Sequence, residues 1–316
     1  MSSKSLSPAE IISKALSDPE EYKRMAAGED AHWSKTLSDP DRAGKRKKGQ
    51  QAARILKKNR DNFSVYSYLR NQKGKIKHGL VLGCGSGRAE RTFLEKGVGE
   101  SFHGIDIAAG AVETAKKVAA ENNLPITYEV ADLNDVILQK RKYDFVSAQN
   151  FLHHVVKLEH LFEQIWKSLK PNGYLYIDDF VGETQFQWSE KRLKITTEIL
   201  ELLPTKHRTD VILDRPVRQP HRPDPGKLCS PFEAIRSGEI LPQISRWFNV
   251  KKQVLSGSIR YHVLPLGVLE SYTENEDTKT IYEVLRYVDR LLVDEGVLPP
   301  SAAQILLSPK RPEDIG

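Results

Sequence analysis

Three glycines at alternate positions, Gly83, Gly85 and Gly87, stand with two acids, Asp106 and Asp132, and two adjacent histidines, His153 and His154. These are the residues whose types and spacing could do chemistry. The glycines lie where an apolar run, Leu80 to Leu82, gives way to a polar, helix-compatible segment, Ala89 to Lys96. Glycine lets the main chain turn tightly and approach a ligand with no Cβ in the way. The pattern is Gly-x-Gly-x-Gly. It lacks the longer interval of dinucleotide loops and the Gly-Lys-Ser/Thr ending of phosphate-cradling loops. Asp106 ends the next run, Ser101 to Asp106, about twenty residues on, where doubly wound nucleotide sites place the acid that accepts from ribose hydroxyls. Asp132 follows a third run, Ile126 to Val130. Two such acids beside a glycine loop suit a ribose and an adenine, and no pyrophosphate. The plainer alternative is a Gly-rich turn that binds nothing; three alternate glycines between strand and helix weigh against it.

These residues need strands to carry them and helices to cover the strands. Residues 76–182 alternate apolar runs with amphipathic segments, which predicts a mostly parallel sheet with helices on both faces. One helix is expected over Ala109–Asn122, with Val112, Ala115, Val118 and Ala119 inward. Another is expected over Leu158–Leu169, closed by the turn Pro171-Asn172-Gly173. Residues 1–75 read as an N-terminal helical extension, with starts at Ser7-Pro8 and Ser17-Asp18-Pro19, and with Trp33 as core packing. Residues 183–247 interrupt the core. They hold an amphipathic helix from Trp188 to Leu203 (Leu193, Ile195, Ile199, Leu202 and Leu203 on its apolar face) and a Pro- and Arg-rich segment, and they read as a substrate lid. Residues 248–316 supply a strand over Phe248–Leu255, a helix over Thr278–Glu295 with Ile281, Val284, Leu285, Val288, Leu291 and Leu292 on one face, and a last strand over Ala303–Ser308.

Composition bounds the remaining possibilities. Of 316 residues, 39% are hydrophobic and 28% charged, ordinary for a folded globular chain. No apolar run is long enough to span a bilayer and no apolar signal core follows Met1, so the cytoplasm is the expected compartment. Two cysteines, Cys84 and Cys229, do not build a zinc cluster, and no metal is expected. The net charge of +6 owes much to residues 44–49 and 57–60, which read as a solvated helical face because no aromatics are interleaved for base stacking.

Val81 to Gly87, Asp106 and Asp132 resemble the glycine motif, ribose acid and adenine acid of class I S-adenosylmethionine-dependent methyltransferases. Tyr143 to Val146, Phe151 to Val155 and Leu169 to Leu175 match that family's fourth strand, the loop after it and the turn into its fifth. The resemblance implies a doubly wound, mostly parallel seven-stranded sheet, a Rossmann-like methyltransferase fold, with N-terminal helices and a helical lid insertion. It implies S-adenosyl-L-methionine as cofactor, held by Gly83, Cys84, Gly85, Gly87, Asp106, Ile107, Asp132, Leu133, Gln149 and Asn150. His154 is then the candidate base, since imidazole titrates in the useful range; a histidine fixed by backbone hydrogen bonds is the alternative. His153 is the second candidate, and Asp178 or Asp179 at the end of strand five could orient an acceptor.

A narrower resemblance lies in Ile177 to Gly182, Gln185 to Trp188 and Ser230 to Ser237. These look like a bacterial methyltransferase subfamily often associated with surface-polysaccharide or specialised-metabolite genes, from which the chain departs at Asp178–Asp179, Glu183, Gln185 and Ser230. The resemblance favours methyl transfer to an O or N atom of a small-molecule acceptor, with no nucleic-acid partner and no membrane span. Two alternatives stay open: a nucleic-acid methyltransferase, and a non-catalytic S-adenosylmethionine-binding regulatory subunit. The acceptor and the oligomeric state are not legible at this level.

Overall fold

The computed structural model describes residues 6–38, 49–53, 55–56, 63–71, 76–220 and 222–315; the basic stretches at 44–48 and 57–60 lie outside them. Seven strands form the main sheet: β1 (His78–Leu82), β2 (Ser101–Asp106), β3 (Ile126–Val130), β4 (Tyr143–Gln149), β5 (Leu169–Phe180), β6 (Phe248–Ser256) and β7 (Ala302–Pro309). Their order is β3-β2-β1-β4-β5-β7-β6. The strands β1 to β5 pair in parallel, while β7 runs antiparallel to both β5 and β6. This is the expected doubly wound, mostly parallel seven-stranded sheet.

Leu80, Val81 and Leu82 are all buried, as a parallel strand covered on both faces requires. Strand β1 pairs with β2 on one side and β4 on the other. The chain winds outward in both directions from there, and the carboxyl ends of β1 and β4 open a crevice of the kind in which such sheets bind ligands. At the opposite end, Asp144 Oδ2 accepts from the N–H groups of Lys77 and His78, both at 3.0 Å, while its Oδ1 takes Lys170 Nζ at 2.7 Å. One carboxylate thus ties the entries to β1 and β5 to β4. The residues Pro171 to Gly173, expected as a turn, belong to the start of β5, where pairing with β4 shifts register between Tyr143 and Phe145.

The helices that position the crevice are α1 (Pro8–Ser17), α2 (Pro19–Ser38), α3 (Val65–Arg70), α4 (Arg88–Glu95), α5 (Ala109–Glu121), α6 (Leu158–Ser168), α7 (Glu190–Leu202), α8 (Ile240–Trp247) and α9 (Glu276–Asp294). Helix α1 opens with a capping box in which Ser7 and Glu10 satisfy each other's N–H groups. Helix α2 runs unbroken past Trp33 and docks on the start of α5. Ala108, the N-cap of α5, has no side-chain cap, so its free N–H groups are taken from outside: Ala109 by Asp30 at 3.1 Å and Gly110 by Ser34 at 3.1 Å. The N-terminal helices are therefore fastened to the crevice by polar contacts.

Two helices pack most of their expected apolar residues inward, Leu193, Ile195 and Ile199 of α7 and Ile281, Leu285, Val288 and Leu292 of α9, and bury polar groups beside them. Helix α7 buries Arg192, Thr196 and Leu200, while Leu202 is 84% exposed. The Arg192 guanidinium, 1% exposed, donates to Glu183 Oε1 at 2.9 Å, to the carbonyls of Gly257 (3.0 Å) and Pro299 (2.7 Å), and to that of Ser258. Helix α9 likewise buries Thr278, Tyr282, Leu285 and Asp289, leaving Val284 at 55% exposure. Asp289 gathers the N–H groups of Gly257, Ile259 and Arg260, each at 2.8 Å. In both helices a buried charge that serves loop backbone groups lies beside the packed apolar residues.

Replacing Arg192 leaves the carbonyls of Ser258 and Pro299 and Glu183 without their donor, while Gly257 O keeps the Ser301 hydroxyl. Arg192→Ala is expected to cost about 3–5 kcal/mol of unfolding free energy, read as a lowered urea midpoint; a midpoint within error of wild type would show that the carbonyls find water instead.

Candidate functional site

A cavity of about 400 Å³ opens at the carboxyl ends of β1, β2 and β4, with Gly83, Gly85, Asp106, Asp132, Asn150 and His154 among its walls. Its floor is the glycine loop. Gly83 has φ +65°, and a Cβ there would lie 2.4 Å from Phe151 Cγ, so the position requires glycine. Gly87 caps α4 at φ 77°, where a Cβ would collide with the Tyr128 hydroxyl. The loop is pinned to the end of β2: Gly83 and Cys84 donate to Ile105 O, and Gly85 N donates to Asp106 Oδ2 at 2.7 Å. Asp106 Oδ1 accepts from Ala108 N at 2.8 Å. Burial pushes the Asp106 carboxyl above its usual range, while those two N–H groups oppose the rise. Beneath the loop, Glu90 is completely buried with no hydrogen-bond partner for either oxygen, and burial pushes its pKa up to about 8.

Asp132 lines the same cavity. Its Oδ1 accepts from Asn134 N at 2.9 Å, and its Oδ2 from the Tyr22 hydroxyl of α2 at 2.5 Å. Asn134 in turn receives the N–H groups of Val156 and Lys157 at 2.8 and 2.9 Å, which fixes the loop after β4.

At the other end of the cavity the two histidines lie with ring centroids 4.1 Å apart, in different surroundings. His153 Nδ1 is 2.5 Å from Asp179 Oδ1, and the Asp179 carboxylate also takes the N–H groups of Phe151, Leu152 and Phe180. Burial works against a charged imidazole, but Asp179, with Glu233 beyond it, outweighs burial and raises the His153 pKa. His154 Nδ1 lies 2.8 Å from Glu29 Oε1. Glu29, only 3% exposed, is on α2 and also receives Trp33 Nε1 at 2.7 Å and Phe232 N at 2.9 Å. Burial pushes the Glu29 carboxyl up, but His154 and these donors hold it below its usual value. The Nε2 atoms of His153 and His154 face Glu233, 3.7 Å from Oε1 and 4.0 Å from Oε2, too far for hydrogen bonds.

Of the residues singled out in the sequence, Gly83, Gly85, Asp106, Ile107, Asp132, Leu133, Asn150 and His154 line this one cavity. Cys84 and Gln149 do not: the Cys84 thiol is buried beside Gly85 O and raised in pKa by burial, and Gln149 donates to Ser147 Oγ. Asp178 projects from the opposite face of β5 to Asp179, exposed, with the Tyr176 hydroxyl 3.3 Å away. Asp179 is enclosed as a loop clamp. Trp33 is a cavity wall, edge-on to His154 with centroids 5.3 Å apart, where the sequence suggested core packing. Sequence reasoning missed Tyr22, Glu29, Phe232 and Glu233. Glu29 and Tyr22 sit in a helix of unremarkable polarity; Phe232 and Glu233 fall in the Ser230–Ser237 block, the one signal that could have drawn attention to them.

The "Methyltransferase domain" family matches residues 80–177. The chain is 32% identical over 98 residues to a ubiquinone biosynthesis O-methyltransferase of Pelagibacter ubique, covering 31% of this chain and 40% of that protein. It is 34% identical over 103 residues to the highly reducing polyketide synthase verA of Penicillium polonicum, covering 30% of this chain and 4% of the synthase. The chain thus spans less than half the length of these curated relatives. Among solved structures it is similar to an S-adenosylmethionine-dependent methyltransferase from Mesorhizobium loti (17% identity, 78% of this chain and 99% of that one, TM-score 0.42). It is also similar to the PH0226 protein from Pyrococcus horikoshii (12% identity, 77% and 87%, TM-score 0.44). Among the described residues no helix is long and apolar enough to cross a membrane.

The buried Glu90 generates a pH dependence. Its folded pKa stands above the ordinary 4.5, at about 8, so the folded chain keeps a proton that the unfolded chain releases. Stability is therefore expected to fall as pH rises through that window, by up to about 1.4 kcal/mol per unit. Glu90→Gln should remove this slope and gain stability at about pH 8; urea midpoints of variant and wild type that run parallel between about pH 5 and 8 would contradict it.

Proposed function

We propose that this protein, whose residues 80–177 form a class I S-adenosylmethionine-dependent methyltransferase domain, transfers a methyl group to an oxygen or nitrogen of a small molecule. The observation that carries the reading is the convergence of Asp106, Asp132 and the glycine loop on one cavity. The residues present fit an adenosyl amino acid. Gly83 and Gly85 bring bare main chain to the cavity wall. The carboxylate of Asp106 has one hydrogen bond on each oxygen and lone pairs left for two ribose hydroxyls. Asp132 retains acceptor capacity for an adenine amino group, with Ile107 and Leu133 beside the ring and Asn150 toward the amino-acid portion. Bound S-adenosylmethionine supplies an electrophilic methyl carbon on a sulfonium.

The chain's own residues then position the acceptor and take its proton. Holding two reactants in line contributes roughly 7–11 kcal/mol. A general base adds a factor of roughly 10²–10⁴. Of the two histidines, His154 is the base in this reading. His153 is locked to Asp179, which raises its pKa, whereas His154 lines the cavity with Nε2 directed away from its Glu29 contact. Glu29 orients the imidazole, as a carboxylate does in catalytic dyads. Glu233, opposite both Nε2 atoms, is placed to receive the hydroxyl or ammonium of the acceptor. The Pelagibacter relative is named an O-methyltransferase, which supports oxygen as the methylated atom.

Asp106→Ala removes two charged hydrogen bonds to the ribose, each worth roughly 1.5–3 kcal/mol, and should weaken S-adenosylhomocysteine binding about 100-fold or more in calorimetry. Near-normal affinity would remove the cofactor assignment. In contrast, His154→Ala should leave that affinity intact and slow transfer of radiolabelled methyl roughly 10²–10⁴-fold; unchanged turnover would make His154 structural.

A further inference from the structure

A second cavity, about 980 Å³, opens between residues 210–220 and 260–266, and Arg215, Arg218 and Arg260 lie on its wall. A smaller cavity of about 430 Å³ shares Pro216, Arg218 and Gln219 with it and adds Arg208. Elsewhere, Arg192 is matched to Glu183, Arg222 to Glu190, and Arg236 to Glu159 and Glu239, whereas Arg215 and Arg218 are exposed. Among the described residues, Arg208, Arg215, Arg218 and Arg260 have no ion-pair partner, and the Nε of Arg208 is buried without a hydrogen bond. Two acids reach these walls. Asp210 is 5% exposed and spends Oδ1 on the N–H groups of Ile212 and Leu213, at 2.8 and 3.1 Å. Glu201 stands at the smaller cavity. Four guanidinium groups against two carboxylates leave the concavity electropositive.

A run of aromatic contacts leads from the histidines of the site above to this cavity. His153 packs against Phe180 at 6.1 Å between centroids, and Phe180 against Tyr261 at 5.9 Å. The ring of Tyr261 also stacks on Phe186 at 5.4 Å, and Tyr261 is itself part of the arginine cavity wall. These rings are the apolar surface between the histidines and the arginines.

We propose that the arginine cavity binds a phosphate or diphosphate group at the end of the acceptor remote from the methylated atom. The chemistry follows from guanidinium geometry, since its planar fork pairs bidentately with phosphate oxygens, and several converging forks match a multiply charged anion better than a single carboxylate. The width of the cavity exceeds what one bound ion fills, which favours an anion carried on a larger molecule. That the anion belongs to the acceptor rests on the methyl-transfer reading; that the cavity binds it does not.

The test is calorimetric titration of the full chain with inorganic pyrophosphate at low ionic strength, where screening is least. Saturable binding is expected, weakened at least tenfold by Arg218→Gln combined with Arg260→Gln, and separately by Arg215→Gln at an exposed position. S-adenosylhomocysteine affinity should be unchanged in both variants, which certifies their fold. Absence of saturable heat in wild type, or affinity for pyrophosphate retained in either variant, would overturn the proposal. Loss of S-adenosylhomocysteine binding in wild type would strike the methyl-transfer reading alone and leave the pyrophosphate result to judge the cavity.

Discussion

Backbone N–H groups left where strands end must find acceptors away from water, and in this protein aspartates take them. Asp106 holds Gly85 and Ala108, Asp179 holds Phe151, Leu152 and Phe180, and Asp132 holds Asn134. An unsatisfied buried donor costs about 1–3 kcal/mol, so each carboxylate fixes the path of the loop beside it. Asp106 and Asp132 keep lone pairs turned toward the cavity, whereas Asp179 is used up by its neighbours. The same device that makes the loops rigid therefore also decides which acids remain available to a ligand.

Closure of the cavity comes from the two of its walls furthest apart in sequence. Helix α2 brings Tyr22, Glu29 and Trp33 over the crevice, and the 230–237 segment brings Phe232 and Glu233. They meet through Glu29, whose carboxylate accepts from Phe232 N and Ser230 Oγ while contacting His154. Tyr22 and Phe232 stack at 5.7 Å. This arrangement gives two neighbouring histidines unlike roles. One is held by the sheet through Asp179, the other by the covering helix through Glu29. Any movement of α2 would alter His154 and leave His153 in place.

The glycine loop and the two strand-end acids were readable because they are local. A Gly-x-Gly-x-Gly between an apolar run and a helix can satisfy its backbone in few ways, and an acid at the next strand end falls beside it through parallel pairing alone. The buried polar members of α7 and α9 were not foreseen because the hydrophobic pattern carries no information about Arg192 and Asp289, whose burial is repaid by carbonyls and N–H groups from other loops. Asp178 and Asp179 could not be separated by composition. Alternation along β5 puts one on each face, and only the partner elements decide which face is the site.

What the sequence determined by itself is the parallel core and its glycine loop, since strand periodicity, glycine spacing and strand-end acids are short-range properties of the chain. The tertiary structure alone decided the polar centre, because Glu29, His154 and Glu233 come from three segments that no spacing relates. It also decided the arginine cavity, because whether a guanidinium lies opposite an acid depends on packing and not on the order of residues.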